Sequence, residues 1–200
     1  ITADGQSSLL LSVTKSVTAK PGVKVVFSTN KGTLLNDNVV FTGNTAVTSL
    51  KVSQDTGIYV IKAVVKNEKD SMLYQNTITF NIKRALPDHI FLEANRTIST
   101  MSGDTPTIIK TFLTRDIGLV TTGTAVNFRS YQLKNPTNDT VVVGRFEGLF
   151  NNYSKPDGTL NNISFFSDTR NIDSSRVVTI EATAAGRTGI ILTRINLRYK

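Results

Sequence analysis

Gln54-Asp55-Thr56-Gly57-Ile58-Tyr59-Val60-Ile61 opens a strand directly out of a polar turn. From there Tyr59, Ile61, Ala63 and Val65 fall two residues apart, so one face of an extended chain carries all four. A helix would scatter them around its axis. Toward the N-terminus, Thr48, Leu50 and Val52 share a face, and Val39 to Thr42 runs into a Gly43-Asn44 turn. Val23, Val25 and Phe27 follow the turn at Pro21-Gly22, and another turn comes at Asn30-Lys31-Gly32. Leu9, Leu11 and Val13 alternate with Leu10, Ser12 and Thr14. Toward the C-terminus, the polar turn Asn67-Glu68-Lys69-Asp70 leads to Ile78, Phe80 and Ile82. Short period-2 segments separated by turns, with no 3.6-residue pattern, predict an all-β sandwich.

The pattern then stops and begins again. Lys83-Arg84-Ala85-Leu86-Pro87-Asp88 closes the first unit, because Pro87 fixes its own φ and has no amide proton to donate. Ile90-Phe91-Leu92-Glu93-Ala94-Asn95 resembles the opening Ile1-Thr2-Ala3-Asp4, and Ile109, Thr111 and Leu113 form a further strand. Thr124-Ala125-Val126-Asn127-Phe128-Arg129-Ser130 matches Val23-Lys24-Val25-Val26-Phe27-Ser28-Thr29. Val177-Val178-Thr179-Ile180-Glu181-Ala182 matches Ile58-Tyr59-Val60-Ile61-Lys62-Ala63, and Ile195 and Leu197 end the second unit. Two tandem sandwich domains are expected, over residues 1–84 and 88–200. The offset grows from 101 residues between Phe27 and Phe128 to 119 between Ala63 and Ala182. The second domain therefore carries an insertion of about 18 residues, near 133–168, where loops tolerate added length.

Asp55, Gly57 and Tyr59 have the form of an immunoglobulin tyrosine corner, in which a Tyr early in strand F bonds back across the preceding turn. Antibody domains place Cys two residues after that Tyr; here the position is Ile61, so packing stands in for the disulfide. Ala3-Asp4-Gly5, the run from Pro21 to Gly32, and Gly57-Ile58-Tyr59-Val60-Ile61-Lys62-Ala63 together resemble the bacterial Ig-like (Big) repeats of the invasin and intimin adhesin family. The match covers most of residues 1–82. It is fainter over 88–200, where Val178 takes the place of the corner Tyr and Arg176 that of the Gly. The resemblance implies tandem immunoglobulin-like β-sandwich domains of a Gram-negative bacterium. It also implies an extracellular or cell-surface location, a role in adhesion and virulence, and a protein partner. That partner would be a host receptor or another bacterial Ig-like or outer-membrane protein. A structural stalk that projects another domain is the alternative.

Composition excludes several other classes. The chain has no Cys, hence no disulfide framework and no thiolate metal site; a Cys-free chain suits passage across an envelope in an unfolded state. No apolar run approaches the roughly 18 residues of a membrane span. Ile1-Thr2-Ala3-Asp4-Gly5 does not read as a signal peptide, which leaves the compartment open. The net charge of +8 is scattered, Lys83-Arg84 being the only tight group, and no nucleic-acid motif accompanies it. The charge reads as solubility, and no nucleic-acid partner is expected.

Chemistry needs a constellation, and none is visible. His89 is the only histidine, beside Pro87 and Asp88, and lacks a second His or a Cys. No Gly-x-Ser-x-Gly elbow, phosphate loop or dinucleotide fingerprint is present. Asp4, Asp88 and Glu93 are the nearest carboxylates for a Ca²⁺ ion at the junction of the units. The Asp-x-Asp-x-Asp spacing is missing, and Ca²⁺ takes about six to eight oxygens. No enzyme activity, metal or cofactor is expected. The insertion is the most informative stretch, with Arg145, Phe146, Leu149, Phe150 and Tyr153 in a glycine-punctuated segment. Aromatic and Arg side chains dominate binding hot spots, which marks Arg145, Phe146, Phe150 and Tyr153 as a candidate contact surface. The competing reading is an extra hairpin whose aromatics complete the core.

Overall fold

A computed structural model of the chain describes residues 1–16, 20–99, 105–134, 139–173 and 175–200. Residues 135–138, part of the expected insertion, lie outside the described residues. The chain divides into two compact units, Ile1–Ala85 and Leu86–Lys200. Both are built from strands, with two short 3₁₀ turns in the second and no helix long and apolar enough to cross a membrane among the described residues.

Unit 1 contains β1 (Ser8–Thr14), β2 (Lys24–Thr29), β3 (Thr33–Leu34), β4 (Asn38–Val40), β5 (Thr45–Lys51), β6 (Gly57–Lys66) and β7 (Met72–Ile82). One sheet has the order β1-β5-β3, the other β4-β2-β6-β7. The alternating residues meet between the sheets: Leu11 from β1, Val25 and Phe27 from β2, Leu50 from β5, Tyr59 and Ile61 from β6, and Ile82 from β7 are all buried. Each such side chain stabilises the fold by about 1.5–3 kcal/mol relative to exposure. Val60, Lys62 and Val64 take the opposite face of β6, as the two-residue period requires.

The turn before β6 is held by Tyr59. Gly57 has a φ of 99°, in the left-handed region where only Gly is unstrained. That bend lets the Tyr59 hydroxyl reach back, donating to the Asp55 carbonyl at 3.3 Å and accepting from the Ser53 amide at 3.2 Å. The Ser53 hydroxyl lies 2.9 Å from the same oxygen. The ring itself is buried and stacks on Phe80 at 5.7 Å. Tyr59→Phe keeps the ring and removes these bonds, so it is expected to cost about 1 kcal/mol. Urea unfolding followed by circular dichroism measures this, and an unchanged midpoint for unit 1 would show that the hydroxyl contributes nothing.

Unit 2 contains β8 (His89–Ala94), β9 (Ile98–Ser99), β10 (Thr107–Thr114), β11 (Val126–Lys134), β12 (Asp139–Val142), β13 (Arg145–Glu147), β14 (Ile163–Phe166), β15 (Val177–Gly186) and β16 (Gly189–Tyr199). Its sheets have the orders β13-β14-β10-β8 and β12-β11-β15-β16-β9. Phe27 pairs with Ala63 across β2 and β6, and Phe128 pairs with Ala182 across β11 and β15. The two sequence matches thus occupy the same cross-strand pair in each unit. Val178, in the place of Tyr59, is fully buried, and Arg176, in the place of Gly57, keeps a positive φ of 51°.

One sequence match is corrected. Ile1 does not correspond to Ile90. The Lys83 amide donates to the Ile1 carbonyl at 3.3 Å, and the Lys200 amide donates to the Ser99 carbonyl at 3.0 Å. Lys83 follows β7 as Lys200 follows β16, so Ile1 stands where Ser99 stands. A short apolar stretch offers alternation alone, which fits more than one strand; the hydrogen bonds decide.

Candidate functional site

The inserted chain is tied to both sheets of unit 2. In unit 1, four residues, 41–44, join β4 to β5. In unit 2, β13 and β14 pair antiparallel and residues 148–162 run between them. That segment first lies along the start of β11. The Val126 amide donates to the Asn152 carbonyl at 2.9 Å, and the Asn152 side-chain amide donates to the Val126 carbonyl at 2.6 Å. Ser154 is buried beyond it; its hydroxyl donates to the Thr121 carbonyl at 3.1 Å and accepts from the Thr124 amide at 2.9 Å. The segment then crosses to β10, where the Leu113 amide donates to the Gly158 carbonyl at 2.9 Å and the Leu160 amide to the Thr111 carbonyl at 3.1 Å. Leu160 enters the core between the sheets.

The four candidate residues separate on this frame. Phe146 on β13 pairs with Phe165, and its ring lies 5.1 Å from Phe165 and 6.1 Å from Phe128. It packs against the core. Phe150 sits on the 3₁₀ turn Leu149–Asn151 and is 92% exposed, and Tyr153 is 53% exposed. Arg145 stacks on the Phe166 ring at 4.6 Å and pairs with Glu147 at 3.1 Å. Val142, Gly144, Arg145, Phe166, Asp168 and Arg170 line a shallow open groove there. The structure therefore brings Arg145 to a groove edge, commits Phe146 to packing, and presents Phe150 and Tyr153 to solvent.

A second feature was not legible in the sequence. Arg129, Glu181 and Arg194 are direct cross-strand neighbours on the outer face of β11, β15 and β16. Arg129 Nε donates to Glu181 Oε1 at 2.6 Å and Arg194 Nε donates to Oε2 at 2.8 Å. The carboxylate is 3% exposed. The Arg129 hydrogen bond holds its pKa below the ordinary value against the opposing effect of burial, and Arg194 adds to the lowering. A carboxylate held ionised between two guanidinium groups is no general acid near neutral pH. Because its folded pKa is lowered, its contribution to stability is present above the ordinary Glu value and is lost as pH falls through the folded one. Unit 2 should lose stability on acidification, and Glu181→Gln should flatten that part of the profile. An unaltered pH profile of the unfolding midpoint would show that the cluster contributes nothing.

Of the other sequence candidates, Asp4, Asp88 and His89 have local partners. Asp4 Oδ1 accepts from the amides of Gln6 and Ser7 at 2.9 and 2.7 Å. Asp88 pairs with Arg187 at 2.9 Å, and Glu93 is exposed on β8. His89 lies 2.9 Å from Asp116 at the surface. Among the described residues no group of three or more His, Asp or Glu side chains is placed to hold a metal ion.

No family model matches the chain, and no curated protein matches it in sequence. Solved structures do match. Invasin, a bacterial integrin-binding protein, is similar over 99% of this chain with a TM-score of 0.65 and 19% identity, and the chain spans 37% of the invasin chain. InvD of Yersinia pseudotuberculosis is similar over 100% of this chain and 55% of its own, with a TM-score of 0.43 and 15% identity. The D0-D1 domains of intimin are similar over 98% of this chain and 93% of their own, with a TM-score of 0.36 and 17% identity. The likeness to invasin shows the fold: two tandem immunoglobulin-like β-sandwiches.

Proposed function

We propose that this chain, with the tandem Ig-like fold also found in invasin, is a non-catalytic adhesion module of a Gram-negative bacterium. It acts outside the cell or on its surface, and the inserted segment of unit 2 contacts a protein partner. That partner is a host receptor, as integrin is for invasin, or another bacterial Ig-like or outer-membrane protein. The observation that carries the reading is Phe150. An aromatic side chain that is 92% exposed gains nothing for the fold, yet the turn that presents it is tied down on both sides. A rigidly held exposed aromatic, with Tyr153 also exposed three residues on, has the composition of a binding hot spot, with little ordering entropy left to lose on association.

Point variants test this better than removal of the segment, because cutting out residues 140–153 would also remove the buried Val143 and the packed Phe146. A partner is first captured from host-cell extract or the bacterium's own secretome with the full chain. Phe150→Ala is then expected to leave the unfolding midpoint within about 0.5 kcal/mol and to weaken that partner at least about tenfold. Undiminished affinity in a Phe150→Ala/Tyr153→Ala double variant would leave the chain as a stalk that projects another domain.

A further inference from the structure

The outer face of β11, β15 and β16 carries an arrangement that sheet pairing does not require. Phe128 and Ala182 of unit 2 match Phe27 and Ala63 of unit 1, so Arg129, Glu181 and Arg194 stand where Ser28, Lys62 and Thr77 stand. Unit 1 forms the same ladder of three strands with two hydroxyls and one ammonium group at those positions. Taking the Glu181 carboxylate out of water costs free energy that its two partners offset, and apolar side chains often hold a structure as well.

Glu181 gives one oxygen to each arginine, and both contacts are made by Nε. Arg129 is held a second time, its guanidinium lying 5.1 Å from the centre of the Tyr131 ring. Both arginine side chains are more than half exposed. Their terminal Nη groups have no hydrogen-bond partner among the described residues. Two cations around one anion leave the patch with an excess positive charge. Leu192, two residues from Arg194, and Val142, directly opposite Tyr131, share this face and are more than half exposed. Guanidinium donors already held in place match a planar carboxylate, and apolar neighbours shield such a pair from water.

We propose that this face of unit 2 docks an extended acidic segment of a protein partner, with one carboxylate on Arg129 and a second on Arg194. β11 and β16 are separated by β15 alone, so the two arginines start about 9–10 Å apart. Two acidic residues two or three positions apart on an extended chain span about 7–10 Å. Apolar residues beside them cover Leu192 and Val142. Glu181 is the positioning residue: it touches no ligand and holds both guanidinium groups ready. A sulfated glycan suits the face less, because it reads a run of positive charge, whereas here a carboxylate lies between the cations and apolar side chains lie beside them. The proposal does not rest on Phe150 and stands or fails by itself.

The probe is a displayed library of random peptides of about twelve residues, panned against the full chain at low ionic strength. Enriched peptides are expected to carry two acidic residues two or three positions apart with apolar neighbours. The tightest one is then synthesised and titrated. Arg129→Gln and Arg194→Gln should each weaken it at least about tenfold. Glu181→Gln separates a positioned pair from mere charge. It makes the face more positive, so simple attraction would strengthen binding, whereas loss of positioning should weaken it at least about threefold. Leu192→Asp sets a like charge against the peptide and should also weaken it at least about tenfold. Leu192 is exposed, so this variant keeps the native circular dichroism spectrum and the test stays decisive if a clasp variant does not fold. Enrichment of no peptide or of peptides without an acidic pair, undiminished binding to either arginine variant or to Leu192→Asp, or tighter binding to Glu181→Gln overturns the proposal. So does retention on immobilised heparin that depends on both arginines while no acidic peptide binds, which would assign the face to a sulfated glycan.

Discussion

Gly158→Ala is expected to destabilise unit 2 by at least about 3 kcal/mol. Gly158 has a φ of 83°, in the left-handed region, which alone costs an L-residue about 1–2 kcal/mol. The added methyl group would also lie 2.2 Å from the Leu113 carbonyl oxygen. That oxygen is backbone of β10, held there by pairing of Leu113 with Ile90 on β8, so it cannot swing aside as a side chain would. The loop must lift instead. Lifting breaks the bond from the Leu113 amide to the Gly158 carbonyl and pulls at Leu160, which is buried two residues on. The measurement is urea unfolding by circular dichroism, with the unit 1 transition as an internal reference. A loss below about 1 kcal/mol would mean that the segment re-seats freely, and its rigidity would no longer support the presentation of Phe150.

Phe165→Ala is expected to cost unit 2 about 3–5 kcal/mol. Phe165 is 1% exposed, and it sits between the sheets with Phe146 against it and Phe128 beyond. Deleting the ring removes its transfer energy and leaves a cavity that the paired β10, β13 and β14 strands cannot close. Phe146→Ala should cost less, because Phe146 is only partly buried, and Phe150→Ala should cost almost nothing. This order is the sharpest check on which inserted aromatics belong to the core. Equal losses for Phe165→Ala and Phe150→Ala would contradict the packing described above.

The turn before β6 could be read directly because its parts lie close in sequence. Asp55, Gly57 and Tyr59 span five residues, and the hydroxyl bonds back four residues to Asp55. Ser53 is not legible as part of this turn, since nothing in its own neighbourhood marks it as a partner of the Tyr59 hydroxyl. Phe146 and Phe150 were indistinguishable in the sequence: both are aromatic, four residues apart, in one glycine-punctuated stretch. Pairing of β13 with β14 sets Phe146 opposite Phe165, while the turn that follows carries Phe150 outward. Arg129, Glu181 and Arg194 are separated by 52 and 13 residues, and only sheet register brings them together.

By itself the sequence determined the all-β sandwich class and the alternating faces of its longer strands. Those rest on two-residue alternation and on turn residues, which are properties of a few consecutive backbone dihedrals. The tertiary structure alone decided which strand lies beside which. It thereby decided that Ile1 answers to Ser99, that Glu181 is clasped by two arginines, and that Phe146 packs while Phe150 stands in solvent. Alternation fixes which face a residue takes. What covers that face depends on strands folded in from elsewhere in the chain, and no local pattern records their presence or absence.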